Sequence, residues 1–364
     1  MEMGPLHDPW EPELSRRSGR HLLTSVEVTV TNRCNMRCRH CAVGETLALR
    51  EPERVPLSLL YRRMDEVPTL RTLSITGGEP SENPGTLSGY VLPLLQYARR
   101  RGLRTQVNTN LTFELERYRL IAPYVDVLHI SWNYTNVDDF HRIAWVRGRE
   151  HVARAASAKL YERIVSNAQA LAADGVFVSA ESMVNAETAP HLGRLNRMIR
   201  EMGCRRHEVH PMYPADWAAD LPILDRDAFR AAIDRFLDER APDLWVLFGT
   251  FPFLPCSSDP ADQALLGKVR RAPNVSVRNC PDGRNRININ GFTGDVYVTD
   301  FADVPALGNV ADEGLAASFE RWQAHPAFAP FNCYCPEARC TGPNLLVARM
   351  YDPGVDFRER RAVV

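Results

Sequence analysis

The hydrophobic and polar positions of the chain follow two alternating patterns from about residue 25 onward. Short apolar runs with strand-like composition alternate with longer stretches in which apolar positions recur every three to four residues. The predicted strands cover residues 25–31, 72–76, 104–108, 125–131, 176–181 and 207–211. The predicted helices cover residues 87–101, 114–122, 152–173, 192–202 and 226–239. This repeated order predicts an α/β fold with parallel strands joined by right-handed crossovers.

The two ends of the chain depart from this pattern. Residues 1–23 are rich in Pro, Glu and Arg without periodicity, which predicts an irregular extension. After about residue 241 prolines interrupt regular structure, and residues 286–290 and 295–299 predict a β-hairpin. We therefore expect a core domain over residues 24–240 and a C-terminal domain over residues 241–364 that lacks a large apolar core of its own.

The overall composition gives no reason to expect nucleic acid or a membrane as a partner. The chain has 364 residues, of which 45% are hydrophobic and 24% charged, and its net charge is -1. A nearly neutral chain lacks the attraction that draws proteins to nucleic acid or anionic lipid, and no apolar run approaches the length of a membrane span. Nine cysteines without an export signal predict a reducing, cytoplasmic compartment, where thiols serve metals rather than disulfides.

A tight group of cysteines follows the first predicted strand. Cys34, Cys38 and Cys41, here called the cysteine triad, can place three sulfurs on one loop, and thiolates are soft ligands that suit iron–sulfur clusters. A four-iron cubane needs four ligands, so three cysteines leave one iron open, as catalytic metal sites leave a position for substrate. A chance cluster and a zinc knuckle are the alternatives, although zinc sites usually pair Cys-x-x-Cys with a second pair or with histidines.

A second motif, Gly77-Gly-Glu-Pro80, lies about one βα unit after the cysteine triad. The two motifs together resemble those of the radical SAM (S-adenosylmethionine) superfamily. The resemblance implies an open (β/α)6 partial barrel, and six strands are too few for a closed eight-stranded one. It also implies that the cysteine triad ligates a [4Fe–4S] cluster whose open iron chelates SAM. With an electron from an external reductant such as flavodoxin or ferredoxin, SAM would yield a 5′-deoxyadenosyl radical that abstracts a hydrogen atom from the substrate.

The same resemblance implies which residues would contact SAM. In α/β folds chemistry collects at the carboxyl ends of the strands, and several polar residues fall there. Two glycines would let the chain approach the methionine end of SAM, and a glutamate with nearby carbonyl groups would accept hydrogen bonds from its ammonium group. The expected cofactor-binding residues are His40, Gly77, Gly78, Glu79, Asn108, Asn110, Ser131, Asn133 and Glu181. His40 stands where the family usually has an aromatic residue.

A second group of cysteines lies in the C-terminal third. Its members, here called the predicted auxiliary set, are Cys280, Cys333, Cys335 and Cys340. With the hairpin, they resemble SPASM and twitch modules, which hold auxiliary [4Fe–4S] clusters, and four cysteines are the full complement for one closed cluster. A further cysteine of such modules would fall near Thr299 and Asp300. The Cys-x-Cys-x4-Cys ending resembles that of YfkAB-type radical SAM proteins, and a zinc site is the alternative.

Two cysteines fall outside both groups. Cys204 is expected to be a small buried hydrophobe. Cys256, in a proline-rich loop, is a weak candidate for a hydrogen-atom donor or a spare ligand. Asp300 is the other weak catalytic candidate.

These features predict a radical SAM enzyme with one auxiliary cluster that transfers electrons. Because no peptide-binding extension is evident at the amino terminus, the expected substrate is a small-molecule biosynthetic intermediate. One alternative is a radical SAM maturase that modifies a peptide. Another is a non-enzymatic iron–sulfur electron carrier or redox sensor, which would not need the glycine motif or an open iron.

Overall fold

The computed structural model describes residues 18, 21–299, 304–335, 338, 340 and 342–362, and one sheet runs through this part of the chain. Its strands are β1 (Ser25–Thr29), β2 (Thr72–Thr76), β3 (Arg104–Thr109), β4 (Val127–Ser131), β5 (Val178–Val184), β6 (Arg206–Pro211), β7 (Trp245–Phe248), β8 (Val275–Val277), β9 (Arg286–Asn290), β10 (Asp295–Tyr297) and β11 (Gly308–Asn309). Their order is β11-β10-β9-β1-β2-β3-β4-β5-β6-β7-β8. Strands β1 to β8 pair in parallel, β9 pairs in parallel with β1, and β10 and β11 continue antiparallel. The predicted α/β class is confirmed, and the sheet is open, as in a partial barrel.

Helices connect the parallel strands and share one apolar core with them. Their bounds are Leu57–Asp65, Pro84–Thr86, Leu92–Arg100, Leu115–Ile121, Val137–Ala144, Arg154–Ala173, Leu192–Glu201, Arg226–Glu239, Pro260–Arg271, Leu315–Gln323 and Leu345–Met350, with a π-helical turn at Leu87–Val91. Sequence reasoning missed the helices Leu57–Asp65, Val137–Ala144 and Pro260–Arg271. Val137–Ala144 is only about two turns long, but the Asn136 side chain accepts hydrogen bonds from the amides of Asp138 and Asp139 and so caps its start.

The sheet continues past the predicted division after residue 240. Strands β7 and β8, which sequence reasoning missed, extend the parallel series, and the predicted hairpin joins β1 on the opposite edge. The C-terminal residues, expected to lack a large apolar core of their own, join the apolar core of the parallel strands. Phe251, Phe253 and Trp322 are fully buried in the same apolar cluster as Val26 of β1. The C-terminal part is therefore held by the shared core, and not by a bound metal alone.

One face of the sheet is unusually polar. In each strand every second side chain points away from the helices, and on β1, β4 and β5 these positions hold Glu27, His129 and Glu181. The charges of Glu27 and Glu181 interact although their strands lie four positions apart, a separation of about 19 Å in a flat sheet. The sheet is therefore curved, with its polar face on the concave side, here called the lumen. None of the described helices has the length and apolarity needed to cross a membrane.

Candidate functional site

The cysteine triad lies on the loop that follows β1, at the carboxyl edge of the sheet. The backbone of this loop is tied to the end of the helix Val137–Ala144. The amide of Arg37 donates to the carbonyl of Ala144 at 3.0 Å, and the amide of Arg39 donates to that of Ile143 at 2.8 Å. From another loop, the indole of Trp217 donates to the carbonyl of Cys38 at 2.8 Å and packs against Gly44, where a Cβ would collide with its ring. The loop is thus supported from two sides.

The charges of the three thiols of the triad interact, and the thiols share one aromatic neighbour. The hydroxyl of Tyr134 lies 4.0 Å from the sulfur of Cys38, and its charge interacts with all three thiols. Burial, followed by the nearby Cys38, raises the pKa of Cys34 well above its ordinary value. Burial, followed by Cys41, raises the pKa of Cys38 to about 12. A metal that holds these groups as thiolates must supply the compensating positive charge.

This donor set fits the iron–sulfur cluster implied by the sequence. It consists of three soft ligands on one loop and leaves one corner of a cubane without a protein ligand. Among the described residues, no three His, Cys, Asp or Glu side chains converge closely enough to hold a single metal ion. A zinc ion would require its sulfurs about 2.3 Å from one point, whereas a cubane binds each thiolate at a separate iron.

The two glycines of the second motif pack against the backbone of the triad loop. The amide of Gly78 donates to the carbonyl of Thr31 at 2.7 Å, and the amide of Glu79 donates to that of Arg33 at 2.7 Å. A Cβ on Gly77 or on Gly78 would collide with the same two carbonyl oxygens. Gly77 also has φ = 138°, which side chains rarely tolerate. The sequence analysis explained the two glycines by a close approach of the chain to SAM. The structure gives a second reason, which is this contact between the two loops.

The carboxylate of Glu79 is buried and accepts four hydrogen bonds from protein groups, three at Oε1 and one at Oε2. It accepts hydrogen bonds from the amide and hydroxyl of Ser81 at 3.0 and 2.5 Å, from the hydroxyl of Thr109 at 2.8 Å and from the amide of Asn110 at 2.6 Å. A carboxylate has about four acceptor positions. Burial raises the pKa of Glu79, and these bonds offset only part of the effect. Oε2 accepts only one of these bonds, so the contact of Glu79 and the carbonyl groups of the turn with an ammonium group stays a prediction.

The asparagines predicted to contact SAM have different surroundings. Asn110 reaches the triad loop, with its side-chain amide 3.8 Å from the sulfur of Cys34 and 2.9 Å from the Asn35 side chain. Asn133 lies 3.4 Å from the imidazole of His40 and accepts a hydrogen bond from the amide of Met183 at 2.8 Å. These residues lie beside the triad loop.

His40 and Asn108 are oriented by polar neighbours. Burial lowers the pKa of His40 to about 4, so the ring is neutral near pH 7. The side-chain carbonyl of Asn108 accepts a hydrogen bond from Gln106 at 2.9 Å on the same strand.

A network around Glu181 forms the centre of the polar face. Ser131 donates to its carboxylate at 2.8 Å, and the imidazoles of His129 and His210 lie 3.1 and 3.4 Å from it. Burial alone would raise the pKa of Glu181, but the bonds to the two histidines outweigh burial and hold it well below its usual range. Burial disfavours the charged form of His210, but the bond to Glu181 outweighs it and raises the pKa of that ring.

Sequence reasoning predicted Ser131 and Glu181 and missed both histidines of this network. The alternation of side chains between the two faces of a strand could have identified these histidines. His129 and Ser131 lie two apart in β4, and Glu208 and His210 lie two apart in β6, which places both pairs on the polar face. Trp217 and Tyr134 were also missed, since neither belongs to a motif.

The lumen continues to the opposite edge of the sheet, near β1 and β9. There Glu27 faces the guanidinium of Arg286 at 3.4 Å, and Asp282 lies 3.3 Å from the same group. Burial raises the pKa of Glu27, and the charge of Arg286 offsets part of that effect. Neither the amide oxygen nor the amide nitrogen of the buried Asn288 has a hydrogen-bond partner among the described residues.

Three members of the predicted auxiliary set line one C-terminal cavity, and Cys280 is not among the described residues that line it. Cys335 and Cys340 face each other across an antiparallel bridge with hydrogen bonds of 2.9 and 3.0 Å, and Cys333 lies nearby. Cys280 is buried at the lumen instead, where its charge interacts with Asp282. Asp300 lies outside the described residues.

The cysteines outside the predicted auxiliary set also have defined positions. Cys204 is buried in the main apolar core, as predicted. Cys256 lines a C-terminal cavity together with Cys333, Cys335 and Cys340.

Comparison with known proteins identifies similar sequences over both parts of the chain. Residues 28–184 match the family model of the radical SAM superfamily, and residues 212–362 match that of the YfkB-like domain. The protein YfkA of Bacillus subtilis (strain 168) is 47% identical over 360 residues, which cover 98% of this chain and 96% of that protein.

Solved structures share the fold at low sequence identity. SuiB of Streptococcus suis bound to the precursor peptide SuiA has a TM-score of 0.60 at 13% identity, covering 92% of this chain and 72% of that one. Native anSMEcpe with bound AdoMet and the Cp18Cys peptide has a TM-score of 0.57 at 13% identity, covering 82% and 80% of the two chains.

Proposed function

The chain belongs to the radical SAM superfamily and is a SAM-dependent enzyme of the YfkA family, and from this premise we propose how its own residues serve the reaction. In the proposal, Cys34, Cys38 and Cys41 ligate the [4Fe–4S] cluster. The turn that begins at Gly77 fixes the triad loop and offers its carbonyl groups to the ammonium group of SAM. The observation that carries the proposal is the contact between these two motifs, through two backbone hydrogen bonds of 2.7 Å.

The remaining predicted residues would position SAM around this centre. Asn110 lies beside Cys34, and Asn133 lies beside the neutral His40 of the same loop. Ser131 at the end of β4 and Glu181 within the neighbouring β5 provide a hydroxyl and a carboxylate, which suit the hydroxyl groups of a ribose. When bound and reduced, the cluster supplies the electron that cleaves SAM to methionine and a 5′-deoxyadenosyl radical. The protein contributes orientation and exclusion of water.

We propose a small polar molecule as the substrate, bound in the lumen beyond SAM. The supporting observation is the amide of Asn288, which is buried without a partner among the described residues, since buried polar groups are normally hydrogen-bonded. The oxygen of Gln106, likewise buried, also has no partner there. A substrate that presents both a donor and an acceptor would satisfy Asn288. Arg286 and Glu27 beside it favour a molecule with complementary charges.

A peptide is the second candidate substrate. It is supported by the solved structures of similar fold, because SuiB and anSMEcpe were each determined with a bound peptide. The two candidates differ in where the reacting group enters, since a peptide would place only one side chain in the lumen. In either case an external one-electron reductant, such as flavodoxin or ferredoxin, and a reducing cytoplasmic compartment belong to the proposal. All nine cysteines lie in the described part of the chain, and none forms a disulfide.

The proposed function also includes one auxiliary [4Fe–4S] cluster in the C-terminal part, where it would accept or relay an electron. This cluster is supported by the number of cysteines there. A closed cluster needs four thiolates and leaves no iron for substrate. The alternative of a non-enzymatic electron carrier does not explain the turn at Gly77.

Anaerobic reduction in the presence of SAM tests the reaction. The wild-type protein should release 5′-deoxyadenosine, and the variant with all three triad cysteines changed to alanine should release none. A Cys204→Ala variant is the matched control, because it removes a thiol from the apolar core and should keep the activity. Release by the triple variant would refute the assignment. Addition of either the small-molecule fraction or the peptide fraction of a host extract identifies the substrate class by the fraction that accelerates release.

A further inference from the structure

A second cysteine site is formed by a cavity between the loop after β7 and the C-terminal segment. The cavity has a volume of about 540 Å³, which is within the range of about 300–1,000 Å³ that is usual for ligand sites. Four cysteines line it, here called the cavity cysteines: Cys256, Cys333, Cys335 and Cys340. Cys280 is not among the described residues that line it.

Electrostatic contacts group the thiols in the same way. The charge of the Cys333 thiol interacts with those of Cys340 and Cys256. The charge of Cys256 likewise interacts with that of Cys340. The charged neighbours that most affect Cys280 are Asp282, Arg286 and Glu27 in the lumen.

The loop that carries Cys256 is held in place by side chains of the following helix, Pro260–Arg271. The carboxylate of Asp262 accepts a hydrogen bond from the hydroxyl of Ser257 at 2.6 Å. The side-chain amide of Gln263 donates to the carbonyl groups of Pro255 and Ser257 at 3.2 and 2.6 Å. The residues before and after Cys256 are therefore held in place, and this fixes Cys256 next to the cavity.

The surroundings of the cavity suit an anionic group. Three arginines, Arg358, Arg360 and Arg361, line it together with the four thiols. Arg360 interacts with the charge of Cys256, and the amide of Gly342 donates to the sulfur of Cys340 at 3.4 Å. The four thiolates and four sulfides of a cubane together carry more negative charge than its irons neutralise, so cationic side chains and amide donors stabilise it.

We propose that the cavity cysteines are the four ligands of the auxiliary [4Fe–4S] cluster, with Cys256 in the place that sequence reasoning gave to Cys280. The inference rests on the proposed function, which includes an auxiliary cluster in this part of the chain. Cys280 then remains a thiol of the lumen. Cys256 is a ligand, and not a hydrogen-atom donor.

Iron analysis in a background without the triad separates the two assignments. The Cys34→Ala, Cys38→Ala, Cys41→Ala variant retains only the auxiliary site and should contain about four irons per chain after anaerobic reconstitution. In this background Cys256→Ala should lose the four-iron Mössbauer signature and most of the iron, whereas Cys280→Ala, the matched control, should keep both. Loss of the cluster in Cys280→Ala with retention in Cys256→Ala would overturn the inference. If the background variant itself bound no iron, the proposed auxiliary cluster would be wrong, and the inference with it.

A second measurement does not depend on the folding of a cysteine variant. In the reconstituted wild-type protein, iodoacetamide should leave Cys256 unmodified until the iron is removed by a chelator, after which mass spectrometry should find it alkylated. Alkylation of Cys256 at the same rate before and after iron removal would contradict ligation.

Discussion

Replacement of Gly78 by alanine tests whether the Gly-Gly-Glu-Pro turn positions the cysteine triad. The amide of Gly78 donates to the carbonyl of Thr31, and its Cα faces the carbonyl of Arg33, the residue directly before Cys34. A Cβ at this position would lie about 1 Å inside ordinary van der Waals contact with the Arg33 oxygen. Because that oxygen belongs to the backbone, it cannot rotate away. The turn and the triad loop must separate.

The size of the effect follows from this displacement. A shift of about 1 Å in a catalytic arrangement costs on the order of 10²-fold in rate. The shift also weakens two backbone hydrogen bonds, each of which contributes roughly 0.5–1.5 kcal/mol to stability. We therefore expect Gly78→Ala to release 5′-deoxyadenosine about 100-fold more slowly and to lose about 1–3 kcal/mol in the free energy of unfolding.

The assay compares the rate of 5′-deoxyadenosine release at saturating SAM, normalised to the iron bound per chain. Gly89→Ala is the matched control, because a Cβ at Gly89 would meet no other atom within 4 Å. It should leave both rate and stability close to those of the wild type. If Gly78→Ala retained at least half of the wild-type rate with full iron content, the proposed contact between the two motifs would not position the cluster.

Three further predictions concern the supports of the site. Because the bond to Glu181 raises the pKa of His210 above 6.5, the charged ring stabilises the fold below pH 6.5 and this contribution is lost as the pH rises through the raised pKa. His210→Gln should therefore lower the free energy of unfolding more at about pH 6 than at about pH 9, and an equal loss at both would contradict this. Trp217→Ala removes buried packing worth about 3–5 kcal/mol and the hydrogen bond to Cys38, so a chelator should extract iron faster; an unchanged rate would count against the role of Trp217. Asp262→Asn removes the buried carboxylate that Arg226 and Arg230 share, although each keeps another acidic partner, and should lower the free energy of unfolding by about 1.5–3 kcal/mol, whereas an unaltered melting temperature would refute it.

The core of the fold could be predicted from sequence because its strands are short apolar runs between amphipathic helices. The predicted series of parallel strands ended at β6, whereas the observed series continues through β7 and β8. Strand β8 has only three residues, and both β7 and β8 lie in the proline-rich part of the chain. Neither strand could therefore be distinguished from a loop by its sequence. The pairing of β9 with β1 joins residues about 260 positions apart, and no local pattern indicates such a contact.

The sequence predicted those residues of the site that belong to recognisable motifs. The cysteine triad and the glycine turn were found by spacing, whereas His210 and Trp217 have meaning only through their contacts with Glu181 and Cys38. The choice of Cys280 as an auxiliary ligand relied on its position before the hairpin. The side chain of Cys280 points toward the lumen. This direction depends on the path of the chain past β7, which the spacing of the cysteines does not reveal.

The central claim is that the cysteine triad holds a cluster with an iron open to SAM. It is tested most directly by electron paramagnetic resonance of a variant in which Cys333, Cys335 and Cys340 are replaced by alanine, so that only the triad cluster remains. After anaerobic reduction, addition of SAM should change the spectrum of the reduced cluster, because an open iron gains a new ligand. A spectrum that is identical with and without SAM would contradict the claim.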